Sequence, residues 1–534
     1  MSTSRPAQGW FGPLLLRLHF YAAILVGPFL LVSAASGALY ALSPQLEKVV
    51  YAEALTAPAE GAPLPLATQV EAARAHVGEE ERLVAVRPAP GPGDATRVMF
   101  AGEDLVEGES RGIFVDPATG EVRGDLTVYG TSGALPLRGW IDQLHRNLHL
   151  GDAGRLYSEL SASWLGVIAV AGLGLWIRRA RRSRRKRDLL RPDLRARGYR
   201  RTLSLHSAAG AWVLLGALFL AATGITWSQY GGANIGTIRE ALGFTTQAVD
   251  AQLPAAGGQA AADQEDGAEQ GEPAAAGGGE HAGHTTGTQE ADGSGHTGHG
   301  GDGHAASDGS GHTGHDGHGG QSGADDSAGA DAGAAPGTAA GDRTDLAAID
   351  DVLAAGQAVN IDTGLVEILP PAGPDSAWVV QEIQRSYPTQ VDAVAVDGAT
   401  LEVVDRADFA DQDLAAKLTR WGIDLHMGTM FGLVNQIVLA VIAVMLVAMI
   451  LWGYLMWWQR RPSRAGRGPG RPPQRGALRR APWWGVGLVL LVALAIGLML
   501  PLMGASLAAF VLLDAVVGRV RRPRQARQEG RPAG

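Results

Sequence analysis

Four apolar runs dictate the environment in which this chain must fold: residues 13–42, 160–177, 202–227 and 432–458. Each is close to or beyond the roughly 20 residues that a helix needs to cross a hydrocarbon core. In lipid a backbone must satisfy its own polar groups, so these runs are expected to be membrane helices. The first run is much longer than the roughly 7–15-residue apolar region of a secretory signal, and reads as a retained anchor. A fifth stretch, 483–518, is too long for one ordinary crossing and has Pro501 at its middle. It reads as a hairpin of two short helices, with one long tilted helix as the alternative.

Arginine sets the expected orientation. Residues 178–201 carry thirteen Lys or Arg against two Asp, and 460–480 carry eight Arg and no acid. Both should face the cytoplasm by the positive-inside rule, with the N- and C-termini on the same side. The net charge of −9 averages segments of opposite sign and does not point to nucleic acid. Cysteine is absent. That excludes disulfides, thiolate metal sites, iron–sulfur clusters and covalently attached c-type haem, so any metal or haem must rely on His, Asp, Glu or Met.

The chain is internally duplicated. LHFYAAILVGPFLLVSAASG (18–37) matches LHSAAGAWVLLGALFLAATG (205–224), NLHLG (147–151) matches DLHMG (424–428), and IFVDPATGEV (113–122) matches VAVDGATLEV (394–403). Each half therefore reads as a helix, an external α+β unit, a His-containing approach and a second helix. Asp116 and Asp397 lie in hairpin turns and carry no chemistry in this reading. The plan is a first crossing at 13–42, an external unit at 60–130, and an interfacial helix with the second crossing at 135–177. A basic loop (178–201), the third crossing (202–228), a Gly/His/Asp-rich insert (254–341) and a second external unit (342–410) follow. An approach helix with the fourth crossing (415–458), a basic loop (459–480) and the hairpin (483–518) complete it. The fold class is a multi-pass α-helical membrane protein with four core helices, a C-terminal hairpin and two external α+β units.

The histidines divide into two groups. His281, His284, His296, His299, His304, His312, His315 and His318 fall in the insert, whose composition cannot bury a core. Their spacing suits loose coordination of Cu, Zn, Ni or Fe ions, or reflects a low-complexity expansion. His19 and His206 lie inside the first and third crossings, and His149 and His426 at the approaches to the second and fourth. Ionisable residues in membrane helices are costly and usually face a functional interior. Duplication should pair these histidines about a pseudo-two-fold axis, as axial ligands of haem iron or, in the plainer reading, as interfacial side chains. Gly27, Gly37, Gly210, Gly216 and Gly224 could give a macrocycle room, or serve helix packing alone. His145, one helical turn before His149, is a substitute ligand, a propionate partner or a surface residue. Trp140, Trp164, Trp176, Trp227, Trp457 and Trp458 read as membrane-interface residues.

The order of LHFYAAILVGPFLLVSAASG, LHRNLHLG with a helix ending WIRR, LHSAAGAWVLLGALFLAATGITW, and DLHMGTMFG with a helix ending WWQRR resembles the PepSY-associated transmembrane family. That resemblance implies an iron- or metal-linked bacterial inner-membrane protein with two PepSY-like units, some relatives being haem-bearing ferric-siderophore reductases. It assigns His19, His206, His149 and His426 as ligands of two b-type haems. Electrons would then pass from a cytoplasmic or quinol donor to an external metal chelate. No GxGxxG fingerprint stands in a βαβ context, so a dinucleotide is not expected on this chain. The rival readings are a membrane-anchored metal-binding or transfer protein and a PepSY interaction module without redox activity.

Overall fold

The computed structural model describes residues 9–58, 60–106, 108–183, 189–244, 247–254, 346–362, 364–460, 473 and 476–529. The eight insert histidines lie outside the described residues. The elements below belong to one compact unit spanning residues 1–253 and 322–534.

Four helices are long and apolar enough to cross a membrane: α1 (Phe11–Val50), α5 (Gly151–Arg182), α6 (Gly198–Thr226) and α10 (Gly432–Gln459). Both α1 and α6 pack against α5 and α10, so the four close into a ring. Small residues face inward: α6 buries Ala208, Ala209, Ala217 and Ala221 while Trp212 and Leu215 are exposed. Lipid tails are as apolar as leucine, so helices associate by close backbone approach and leave large side chains outward. At about 1.5 Å per residue, the 40 residues of α1 extend far beyond a hydrocarbon core of about 30 Å. Its last turns, followed by the short α2 (Ala52–Leu55), reach past that span and hold the next layer. There the Glu47 carboxylate accepts from the Leu135 amide at 2.7 Å, and Arg138 pairs with it at 3.2 Å. Those residues start α4 (Pro136–Asn147), the approach helix of the first half.

The two α+β units are fused. Strands β1 (Leu83–Arg87), β2 (Thr96–Phe100), β3 (Glu109–Val115) and β4 (Val122–Tyr129) form one antiparallel meander. Strands β5 (Val366–Leu369), β6 (Trp378–Glu382), β7 (Ala393–Val396) and β8 (Val403–Ala407) form another. Antiparallel pairing of β1 with β5, at Val86 opposite Ile368, makes one eight-stranded sheet in the order β4-β3-β2-β1-β5-β6-β7-β8. A buried ion pair, Arg87 to Glu367 at 2.6 Å, bridges the same joint. Helices α3 (Leu66–Val77) and α8 (Ile349–Ala358) share a core with the sheet, built from Val70, Phe100, Ile113, Val352, Ile368 and Val380 among others. Asp350 of α8 caps the start of α3 across the duplication, accepting from the amides of Leu66 (2.6 Å) and Ala67 (3.0 Å). Joining the meanders covers two strand edges that would otherwise be exposed. The expected Asp turns are present, with Asp116 accepting from the Ala118 amide and Asp397 from that of Ala399.

Helices α11 (Trp483–Met499) and α12 (Pro501–Glu529) meet at Leu500 and pack on each other. A Cβ on Gly504 would lie 2.7 Å from the Gly497 Cα, so only glycine allows this approach. Trp164 is a correction to the membrane-interface expectation. It is buried, and its indole donates to Ser506 at 2.9 Å, docking α12 on α5. Between α6 and the insert the chain forms α7 (Gln229–Ala241), a helix not anticipated from the sequence. The fully buried Glu159 of α5 accepts from the Tyr230 and Gly231 amides at its start.

Candidate functional site

A cavity of about 770 Å³ runs along the inside of the helix ring, and its walls include four histidines: His19, His145, His206 and His426. Two belong to the membrane helices themselves. His19 on α1 bonds through Nδ1 to the Ile168 carbonyl of α5 at 3.0 Å, and His206 on α6 bonds identically to the Met449 carbonyl of α10 at 3.0 Å. Carbonyls only accept, so each Nδ1 carries the proton and each Nε2 lone pair remains for a ligand. The two rings stand 6.2 Å apart between centroids. Imidazoles binding one first-row metal ion from opposite sides, each at about 2.0–2.1 Å, would be spaced by about 6 Å.

The other two come from helices that enter the ring from the sheet side. His145 on α4 bonds through Nδ1 to the Ser36 hydroxyl at 3.0 Å. His426, on α9 (Leu414–Met427), bonds to Thr223 at 2.6 Å. Ser36 and Thr223 each donate their own proton to a helix carbonyl one turn back, Val32 and Phe219, both at 2.9 Å. A hydroxyl that has given away its proton can only accept, so Nδ1 is again the protonated nitrogen. Burial holds both imidazoles below their ordinary range, and the neighbouring His145 ring adds to the effect on His426, pushed down to about 3. Both are therefore neutral near pH 7, as metal ligation requires. His149 does not line the cavity. It follows the end of α4 at φ 56°, and its ring stacks on Trp140 with centroids 5.1 Å apart. The position paired with His426 about the pseudo-two-fold axis is His145.

Glycine makes room for these rings. A Cβ on Gly37 would lie 3.1 Å from the His145 ring, and one on Gly172 would lie 3.2 Å from His19. Gly27, Gly210 and Gly224 also line the cavity, whereas Gly216 lies outside it and packs on Ile442. Gly172 stands four residues after Ile168 and four before Trp176, as Gly453 stands between Met449 and Trp457, and both glycines line the cavity. Trp176, Trp227 and Trp457 line the cavity as well, and Trp227 meets His426 edge-on at 5.0 Å. Arg179 and Arg460 stand at the end away from the sheet, and Arg146 at the sheet end.

Residues 16–460 match the family model described as PepSY-associated TM region. The chain belongs to the PepSY-associated TM family. No curated protein matches it in sequence. Membership agrees with the four apolar helices, and the protein is a membrane protein. In this family member the repeated helix-and-approach unit brings each pair of histidines to the same cavity from opposite halves of the chain. Among the described residues no three His, Asp or Glu side chains converge as a metal-ion site. The donors along the cavity come as pairs of neutral imidazoles. A porphyrin, which itself supplies four nitrogens, is completed by such a pair.

Proposed function

We propose that the protein is a di-haem b-type membrane oxidoreductase that passes electrons across the bacterial cytoplasmic membrane to an external oxidised metal complex, of the ferric-siderophore kind. The observation that carries the reading is the pairing of His19 with His206 and of His145 with His426 on one elongated cavity, every Nδ1 held by an acceptor. Haem, when bound, would supply one-electron chemistry at the two levels. The chain's own residues do the rest. The four imidazoles would hold the groups through their Nε2 nitrogens, and Gly37 and Gly172 clear the space beside them. Arg179, Arg460 and Arg146 offer positive charge at the cavity ends to the carboxylates of a macrocycle. The apolar walls keep water from the path. Two centres divide a bilayer core of about 30 Å into steps that electrons can cross. In this reading the arginine-rich loops at 178–201 and 460–480 face the cytoplasm, where the donor is a soluble reductant or quinol. The sheet and the insert lie outside, with the acceptor.

Protein purified from haem-replete cells tests this directly. The expected result is a Soret band with sharp reduced α and β bands, two haems per chain, and oxidation of the reduced protein by a ferric chelate. A colourless preparation would refute the reading and leave the metal-binding or interaction-module alternatives.

A further inference from the structure

The acceptors behind the four imidazoles differ by level. At the end away from the sheet both are amide carbonyls, Ile168 and Met449. At the sheet end both are hydroxyls, Ser36 and Thr223. Amide resonance places more negative charge on its oxygen than an aliphatic alcohol carries. An imidazole whose Nδ1–H is drawn toward a stronger acceptor is the more basic ligand at Nε2 and favours the more oxidised metal. On the sheet side the Thr223 hydroxyl is the one hydrogen-bond acceptor of His426 among the described residues.

We propose that these acceptors make the two histidine pairs unequal ligands, and that Thr223 is the positioning residue that sets the sheet-side pair. The claim rests on the haem reading above. The carbonyl-backed pair then holds a centre of lower potential and the hydroxyl-backed pair one of higher potential. The difference drives electrons toward the sheet, independently of what accepts them there. Thr223 acts through His426: it fixes the Nδ1–H tautomer, aims Nε2 into the cavity and tunes its basicity. The repeat marks Thr223 as the counterpart of Ser36, but its partner His426 shows only in the fold.

Potentiometric titration of the full chain in detergent, followed at the reduced α band, tests it. Wild type should give two one-electron waves. Thr223→Val keeps the shape of the side chain but removes the acceptor, and should move the higher wave upward while the lower stays in place. Thr223→Ser should restore the original value. Ser36→Ala should move the same wave in the same direction. Haem content measured on each variant shows that the centres are loaded. A single merged wave in wild type, a Thr223→Val wave that does not move, or movement of the lower wave would overturn the proposal while leaving the haem reading intact. Protein without haem would give no waves at all and would overturn both.

Discussion

Replacing His145 or His149 singly with alanine separates the structural assignment from the one the repeat suggests. His145 lines the cavity and bonds to Ser36 at 3.0 Å, whereas His149 stacks on Trp140 outside it. If each pair completes one of two centres that absorb alike, losing His145 removes one ligand nitrogen from one of them. Low-spin six-coordinate absorbance should then fall to about half of wild type, with the remainder five-coordinate or lost. His149→Ala should leave the spectrum unchanged. Its cost is the ring stack with Trp140, about 0.5–1.5 kcal/mol of local stability. The assay is the reduced-minus-oxidised spectrum and pyridine haemochrome content of both variants, purified in parallel. A half-bleached His149→Ala protein beside a fully loaded His145→Ala protein would refute the assignment and restore the alignment of NLHLG with DLHMG as the better guide.

Asp350→Ala should loosen the start of α3 by about 0.5–2 kcal/mol, the usual cost of losing an N-terminal cap, seen as faster hydrogen exchange over residues 66–70. Leu401→Gly should stabilise the turn before β8 by about 1 kcal/mol: Leu401 sits at φ 62° where the first repeat has Gly120 at φ 73°. A rise in the unfolding midpoint checks it. Hydrogen bonding to Arg111, foremost, holds Asp125 below the ordinary carboxylate range. A depressed carboxylate stabilises the folded state above the unfolded pKa of about 4, and that contribution fades as pH falls through the folded value. Asp125→Asn should therefore flatten the acid limb of the stability profile, by no more than roughly 1 kcal/mol because both groups are solvent-screened. Deleting 281–318 should leave the haem spectrum unchanged and weaken Cu, Zn or Ni binding in equilibrium dialysis, if the insert histidines are an accessory metal store.

The membrane frame was legible because it needs only length and apolarity, and the α1–α6 correspondence was legible because both helices keep His and the hydroxyl–glycine pair at one spacing. The choice between His145 and His149 was not. It depends on where an approach helix stops. In the second half α9 runs through His426 and ends at Gly428 with φ 78°, whereas α4 stops at Asn147 and Leu148 and His149 both turn to positive φ. That three-residue difference in the aligned NLHLG and DLHMG carries His149 off the helix, while His145, still on it, reaches Ser36. The sequence does hold a hint: an acceptor one residue before a glycine, at Ser36 and at Thr223, asks for a helical donor in each half. The joining of the two meanders was also hidden, since pairing between β1 and β5 is a matter of contact between distant segments with no local pattern of its own.

That joined sheet explains how the approach helices find their depth. Each is tied to the sheet or to the top of α1. For α4 the tie is Glu47 holding the Leu135 amide, with Tyr51 holding that of Leu137 at 3.0 Å. For α9 the segment just before it is held by Asp392, beside β7, accepting from the Phe409 amide at 2.7 Å, and the turn just after it by the Tyr387 amide, in the β6–β7 loop, donating to the Met430 carbonyl at 2.8 Å. Arg385 of that same loop reaches across to the Thr131 hydroxyl at 2.6 Å, beside the start of α4. The turn that leads into α4 and the loop that packs against the end of α9 are thus bonded to each other as well as to their own halves. Two separate α+β units could drift independently and would place the two rings with independent errors. A single sheet, cross-tied at Arg87–Glu367 and Arg385–Thr131, makes their relative position a property of one rigid body, which is what a two-imidazole site requires.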